Sequence, residues 1–91
     1  MASEPSFEIK LTPQAERVYH RLHPSVRNRV DEVFDRFERG DFTSSNIVAL
    51  HGQYKGRLRY RLGGWRIIFS IDRSHLVVWI EAISARGGAY R

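Results

Sequence analysis

The chain has 91 residues, no cysteine, and 15 Lys/Arg against 10 Asp/Glu. That length supports one domain with a modest core; the lack of cysteine excludes disulfides and thiolate metal sites, and no apolar run approaches the roughly 20 residues of a membrane helix. The charge is uneven: residues 1–50 hold seven Lys/Arg and eight Asp/Glu, whereas residues 51–91 hold eight and two, so an anionic partner is expected to meet the C-terminal half.

Residues 1–5, with no basic or apolar targeting segment, read as a short disordered lead, and residues 6–91 as one domain. Phe7, Ile9 and Leu11 alternate with Glu8 and Lys10, the pattern of a strand. Thr12-Pro13 is an N-cap followed by proline at the first helical position. Ala15, Val18, Tyr19 and Leu22 recur at helical spacing until His23-Pro24 ends the helix. A second helix starts near Pro24 or Ser25, buries Val26, Val30, Val33, Phe34 and Phe37, and stops at Gly40, a residue suited to the C′ position. Residues 41–46 form a polar loop, and Ile47, Val48 and Leu50 are expected to pack under the sheet edge.

Three strands follow, at about 54–62, 65–71 and 76–83. Gly63-Gly64 suits a two-residue hairpin turn. This register sets Leu62 opposite Trp65, Tyr60 opposite Ile67 and Leu58 opposite Phe69 on one face. It sets Arg61 opposite Arg66, Arg59 opposite Ile68 and Arg57 opposite Ser70 on the other. A turn over Asp72 to His75 then pairs Ile71 with Leu76, Phe69 with Val78 and Ile67 with Ile80. On the outer face it pairs Ile68 with Trp79 and Arg66 with Glu81. The order β-α-α-β-β-β predicts an α+β fold, with two N-terminal helices packed on one face of a mostly antiparallel twisted sheet. Where the first strand joins that sheet stays open.

The uncovered face collects Arg57, Arg59, Arg61 and Arg66, with Lys55 at the strand entrance. Arg61 opposite Arg66 is a like-charge pair, which is unfavourable on stability grounds alone. Glu81 reads as an orienter of Arg66. Two readings stand for this face: cations screened by solvent, or a surface for a polyanion. Trp79 reads first as filling a gap beneath a loop or partner helix, with stacking on a base or an arginine as the alternative. The tail, with Arg86, Tyr90 and Arg91, is either a frayed terminus or part of a single-stranded RNA site. His20, His23, His51 and His75 lack ligand spacing, so no metal site and no cofactor are expected. His51, just before the basic strand, is a candidate acid or base.

The segments LHG (50–52), GGWRIIF (63–69), LVVWIEAI (76–83) and RGGAY (86–90) resemble the signature of the RelE/ParE superfamily of type II toxin–antitoxin toxins. The likeness extends over about residues 6–91. It implies a RelE-like fold, similar to small microbial ribonucleases. The RelE-like branch implies a cytoplasmic endoribonuclease that cuts mRNA in the ribosomal A site and is silenced by a RelB-like antitoxin, reaching operator DNA only through that complex. By position, the resemblance assigns cleavage to Arg57, Arg59, Arg66, Arg86 and Tyr90, with Lys55, Arg61 and Arg91 as RNA contacts. Ser84-Ala85 stand where several relatives carry His or Lys. The alternatives are a ParE-like inhibitor of DNA gyrase, or an inactive chain that binds an antitoxin as co-repressor.

Overall fold

A computed structural model describes residues 6–85. The expected disordered lead, and Arg86, Tyr90 and Arg91 of the tail, lie outside the described residues. The elements are β1 (Glu8–Leu11), α1 (Pro13–Arg21), α2 (Pro24–Glu38), β2 (Ile47–Ala49), a short 3₁₀ turn (Gly52–Tyr54), β3 (Leu58–Leu62), β4 (Trp65–Asp72) and β5 (Val77–Ala85). They build a five-stranded sheet in the order β1-β5-β4-β3-β2, antiparallel except where β1 runs parallel to β5.

Both helices start and stop where the sequence predicts. Thr12 caps α1 by accepting from Ala15 N at 3.3 Å. Gly40, at φ +76°, closes α2 in a Schellman motif: Asp41 N donates to Arg36 O and Gly40 N to Phe37 O, each at 2.9 Å. The helices cover one sheet face. Phe37 is the centre of that core, with ring centroids 4.5 Å from Phe69, 5.5 Å from Phe42 and 6.1 Å from Tyr60. Val30, Val33, Ile67, Val78, Ile80 and Ile83 complete it. Tyr19 Oη donates to Asp31 Oδ1 at 2.6 Å, joining α1 to α2. That bond, then burial, raises the Tyr19 phenol above its ordinary pKa.

From Leu58 to Leu62 the β3–β4 register is the predicted one, including Arg61 opposite Arg66, whereas the predicted Arg57–Ser70 pair falls outside the ladder. Several expectations need correction. Residues 47–49 do not merely pack under the sheet; they form the edge strand β2, with Val48 opposite Arg59 and 45% exposed. β3 begins at Leu58 rather than 54, because the 3₁₀ turn and Gly56, at φ +93°, interrupt an extended path. Lys55 therefore sits in an exposed turn and not on the strand.

The β4–β5 hairpin departs most. Asp72 stays in β4 and its carboxylate accepts from His75 N (3.1 Å) and contacts His75 Nδ1 (2.9 Å), which lowers the Asp72 pKa. The loop is thus Arg73–Leu76, closed by Leu76 at φ +55°. Ile71 meets Val78 and Phe69 meets Ile80, a slip of two residues from the expected pairing. Beyond Phe69 the register shifts again: Ile68 faces Ala82, Ile67 faces Ile83 and Arg66 faces Ser84. Glu81 is the extra residue of this bulge, so it is not opposite Arg66. Ile68, expected at the surface, is fully buried on the outer face between Arg59 and Ala82.

The bulge is held from the first helix. Thr12 N donates to Ile80 O at 3.0 Å and Thr12 Oγ1 donates to Glu81 O at 2.7 Å. Gln14 continues the pairing where β1 has ended: its Oε1 accepts from Ile83 N at 3.4 Å and its Nε2 donates to Ile83 O at 3.5 Å. One threonine hydroxyl therefore caps α1 and satisfies a carbonyl at the bulge. Thr12→Ala is expected to lower unfolding free energy by about 1–3 kcal/mol, with Thr12→Ser recovering most of it. Urea denaturation of the two variants checks this.

Candidate nucleic-acid interface

Period-2 alternation fixes what the outer face carries. The pairings set three rows across the sheet. Lys10, Trp79 and Ser70 form the first, with Arg57 just before β3; Ala82, Ile68, Arg59 and Val48 form the second; Ser84, Arg66 and Arg61 form the third. Arg57, Arg59 and Arg66 are half-buried and Arg61 is exposed. The four arginines foreseen on this face share it.

Glu81 serves a different arginine from the one expected. Arg57 Nε donates to Glu81 Oε1, and Ser70 Oγ donates to Glu81 Oε2 at 3.0 Å. Both carboxylate oxygens are engaged, so Glu81 is a support for the Arg57 guanidinium. The bulge makes this possible, since a residue without a direct partner on β4 can turn towards Ser70 and Arg57. Arg66 is left with Arg61 and Ser84 as its cross-strand neighbours.

Trp79 is 39% exposed, and Lys10 Nζ stands 5.6 Å from its ring centroid. The ring is a surface feature of the outer face, and no other described element packs over it. At the β2 edge, Ser45, Asn46, Val48, Arg59 and Arg61 line a cup of about 180 Å³. This cup was not legible from the sequence, because it needs β2 beside β3. The larger cavity, about 460 Å³, lies between the helices and β1 and is lined by Ile9, Leu11, Tyr19, Phe34, Asp31, Asp35 and Glu38. Three carboxylates there repel a polyanion, so size does not select the site; charge does. His51 is exposed at the start of the 3₁₀ turn.

No protein-family model and no curated protein match the chain. Solved structures do. A chain of the toxin–antitoxin complex RelBE2 from Mycobacterium tuberculosis is 26% identical, with a TM-score of 0.75 over 89% of this chain and 99% of that one. A chain of the archaeal RelE–RelB complex from Pyrococcus horikoshii is 25% identical, with a TM-score of 0.77 over 92% and 99%. The isolated Escherichia coli RelE toxin shares the fold at 12% identity, with a TM-score of 0.72 over 93% and 89%.

The Arg57–Glu81 pair is partly exposed, at 39% and 21% of the two side chains, which limits its energy. A double-mutant cycle with Arg57→Gln and Glu81→Gln is expected to give a coupling of about 1 kcal/mol at low salt, shrinking as salt rises. Chemical denaturation of the four proteins measures it.

Proposed function

We propose that this chain, whose fold is that of the RelE-like toxins of the RelE/ParE superfamily, is the toxin of a type II toxin–antitoxin system. In this reading, residues 6–91 form one toxin domain that acts in the cytoplasm as a ribosome-dependent endoribonuclease on mRNA. Its partner is a RelB-like antitoxin, and it reaches operator DNA only within that complex. The supporting observation is the cationic outer face: Arg57, Arg59, Arg61 and Arg66 stand together, with Glu81 the acid set among them.

Cleavage begins when the ribose 2′-oxygen attacks the adjacent phosphorus. The 2′-proton leaves, the bond to the 5′-oxygen breaks, and that oxygen takes up a proton. The products are a 2′,3′-cyclic phosphate and a free 5′-hydroxyl. The phosphorane-like transition state carries extra negative charge on the equatorial oxygens, and preorganised guanidinium groups stabilise it. Arg66 and Arg86 take this task. Arg57, held by Glu81, positions the backbone with Arg59. Tyr90 stacks on a base or passes a proton. Lys55, Arg61 and Arg91 bind flanking phosphates.

Guanidinium groups stay protonated and make poor bases. Glu81, with both oxygens bonded, is not placed to accept the 2′-proton. The site is thus stronger in charge stabilisation than in proton removal. Alignment of the message by the ribosome supplies the remainder, since positioning is worth several kcal/mol of barrier.

Arg66→Gln and Arg86→Gln are each expected to reduce cleavage of a ribosome-bound message about 10²–10³-fold, while leaving the fold and antitoxin binding intact. Primer extension on a translated message reads the cleavage, and co-purification with the antitoxin reads the binding. Undiminished cleavage in both variants overturns the assignment. Growth arrest with intact message and a DNA-damage response would favour the gyrase reading; expression without arrest would favour the co-repressor.

A further inference from the structure

We infer that Trp79 is a stacking platform for one unpaired base of a single-stranded RNA, with Lys10 beside it to take the adjoining phosphate. The inference rests on the RNA-cleavage reading for its ligand class, and it concerns two residues to which neither the resemblance nor that reading gives a role. Trp79 is exposed on β5, while its chain neighbours Val78 and Ile80 are fully buried. A single exposed apolar side chain is ordinary; its surroundings set this one apart. It stands in one row with Lys10 on β1 and Ser70 on β4, and the row leads on to Arg57 just before β3. Ser70 and Arg57 are joined through the Glu81 carboxylate. Trp79 and Arg57 are thus about 10 Å apart, two inter-strand spacings, so a base on the ring and a phosphate at Arg57 belong to one short stretch of chain.

Lys10 decides whether the ring is available. Its Nζ lies 5.6 Å from the indole centroid, and the side chain is exposed. A cation–π contact at an exposed site is worth about two- to fivefold in an equilibrium constant. A base stacked on an aromatic ring is worth about five- to 150-fold. The base therefore displaces the ammonium, and the flexible four-carbon stem lets Nζ swing to the phosphate beside that base. A protein partner fits this spot less well, because it needs a broader apolar patch. Among the described residues, the other exposed large apolar side chain in the sheet, Val48, lies three strands away on β2.

The neighbouring rows give the RNA a direction. On the side of Trp79 away from the arginines, the pairings set Glu8, Val77 and Asp72 in one row. Its two carboxylates repel phosphates, so the backbone leaves Trp79 towards Arg57 and the cationic end of the face. A ring that only stacks reads no base edge. Its preference follows the area of the base, which favours a purine over a pyrimidine at this one position and leaves the other positions unselected by Trp79.

The test uses the full chain labelled with fluorotryptophan and a short single-stranded 2′-O-methyl RNA, which cannot be cleaved. An abasic chain of equal length and charge and an acidic peptide are the comparison arms. The two tryptophans give two ¹⁹F signals, and Trp79→Phe identifies that of Trp79; Trp65, which packs against the core, is the internal control. The Trp79 signal is expected to shift saturably with the RNA and far less with the abasic chain. Trp79→Ala should weaken RNA binding about tenfold at low salt with an unchanged salt slope, since no charge is lost, and Trp79→Phe should recover most of the affinity. Lys10→Gln should weaken it about threefold and make the slope shallower by about one. An all-purine probe should bind more tightly than an all-pyrimidine one. An unmoved Trp79 signal, equal affinity for the RNA and the abasic chain, Trp79→Ala within about twofold of the parent, or a response to the acidic peptide alone overturns the platform. Cleavage is read separately by primer extension. Intact cleavage without stacking sinks the platform and keeps the nuclease reading, whereas stacking by a chain that never cuts a message does the reverse.

Discussion

Like charges set side by side on a sheet repel, and the outer face of this protein is organised around that constraint. Arg61 stands directly opposite Arg66, with Arg59 and Arg57 further along the same side. Among the described residues the repulsion is countered where Glu81 meets Arg57. Mutual screening by solvent limits the cost for exposed groups. It does less for Arg59, whose buried Nε has no hydrogen-bond partner among the described residues. A face arranged like this gains when an anion lies on it, and a chain of phosphates is the anion whose spacing answers several cations at once.

The scaffold that tolerates the strain is built on the opposite face. Phe37 and its aromatic neighbours lock α2 to the sheet, and the buried aliphatic residues of β4 and β5 do the rest. Thr12 links the two faces. It starts α1 on the covered side and fixes the Ile80 and Glu81 carbonyls of β5. The bulge it steadies delivers the carboxylate to Arg57. Local capping chemistry in the first fifteen residues therefore helps to shape a site made from residues after position 56.

Much of this was legible in the sequence, and the failures have physical reasons. Capping residues and helical stripes placed both helices, and face sorting placed the β3–β4 pairing, because a one-residue slip would bury arginines. The same logic is blind to a slip of two, which leaves every side chain on its own face. That is how the β4–β5 pairing differed by two while Val78 and Ile80 still entered the core. The bulge at Glu81 had no signal in the alternation that surrounds it, and without the bulge Arg66 looked like its partner. The edge strand β2 was hidden by its three-residue length and by an exposed Val48. Trp79, read as more suited to a gap beneath another element, is open enough to meet a base. The cup followed from none of these patterns, since it exists only where β2 and β3 lie side by side.

The central claim is that the outer sheet face, and not the acidic cavity beside the helices, meets the message. Photo-crosslinking from a 4-thiouridine placed in the A-site codon of a programmed ribosome, followed by mass spectrometry of the attached peptides, tests this directly. The account predicts attachment within residues 45–70 and 77–91. Attachment confined to α1 and α2 would contradict it.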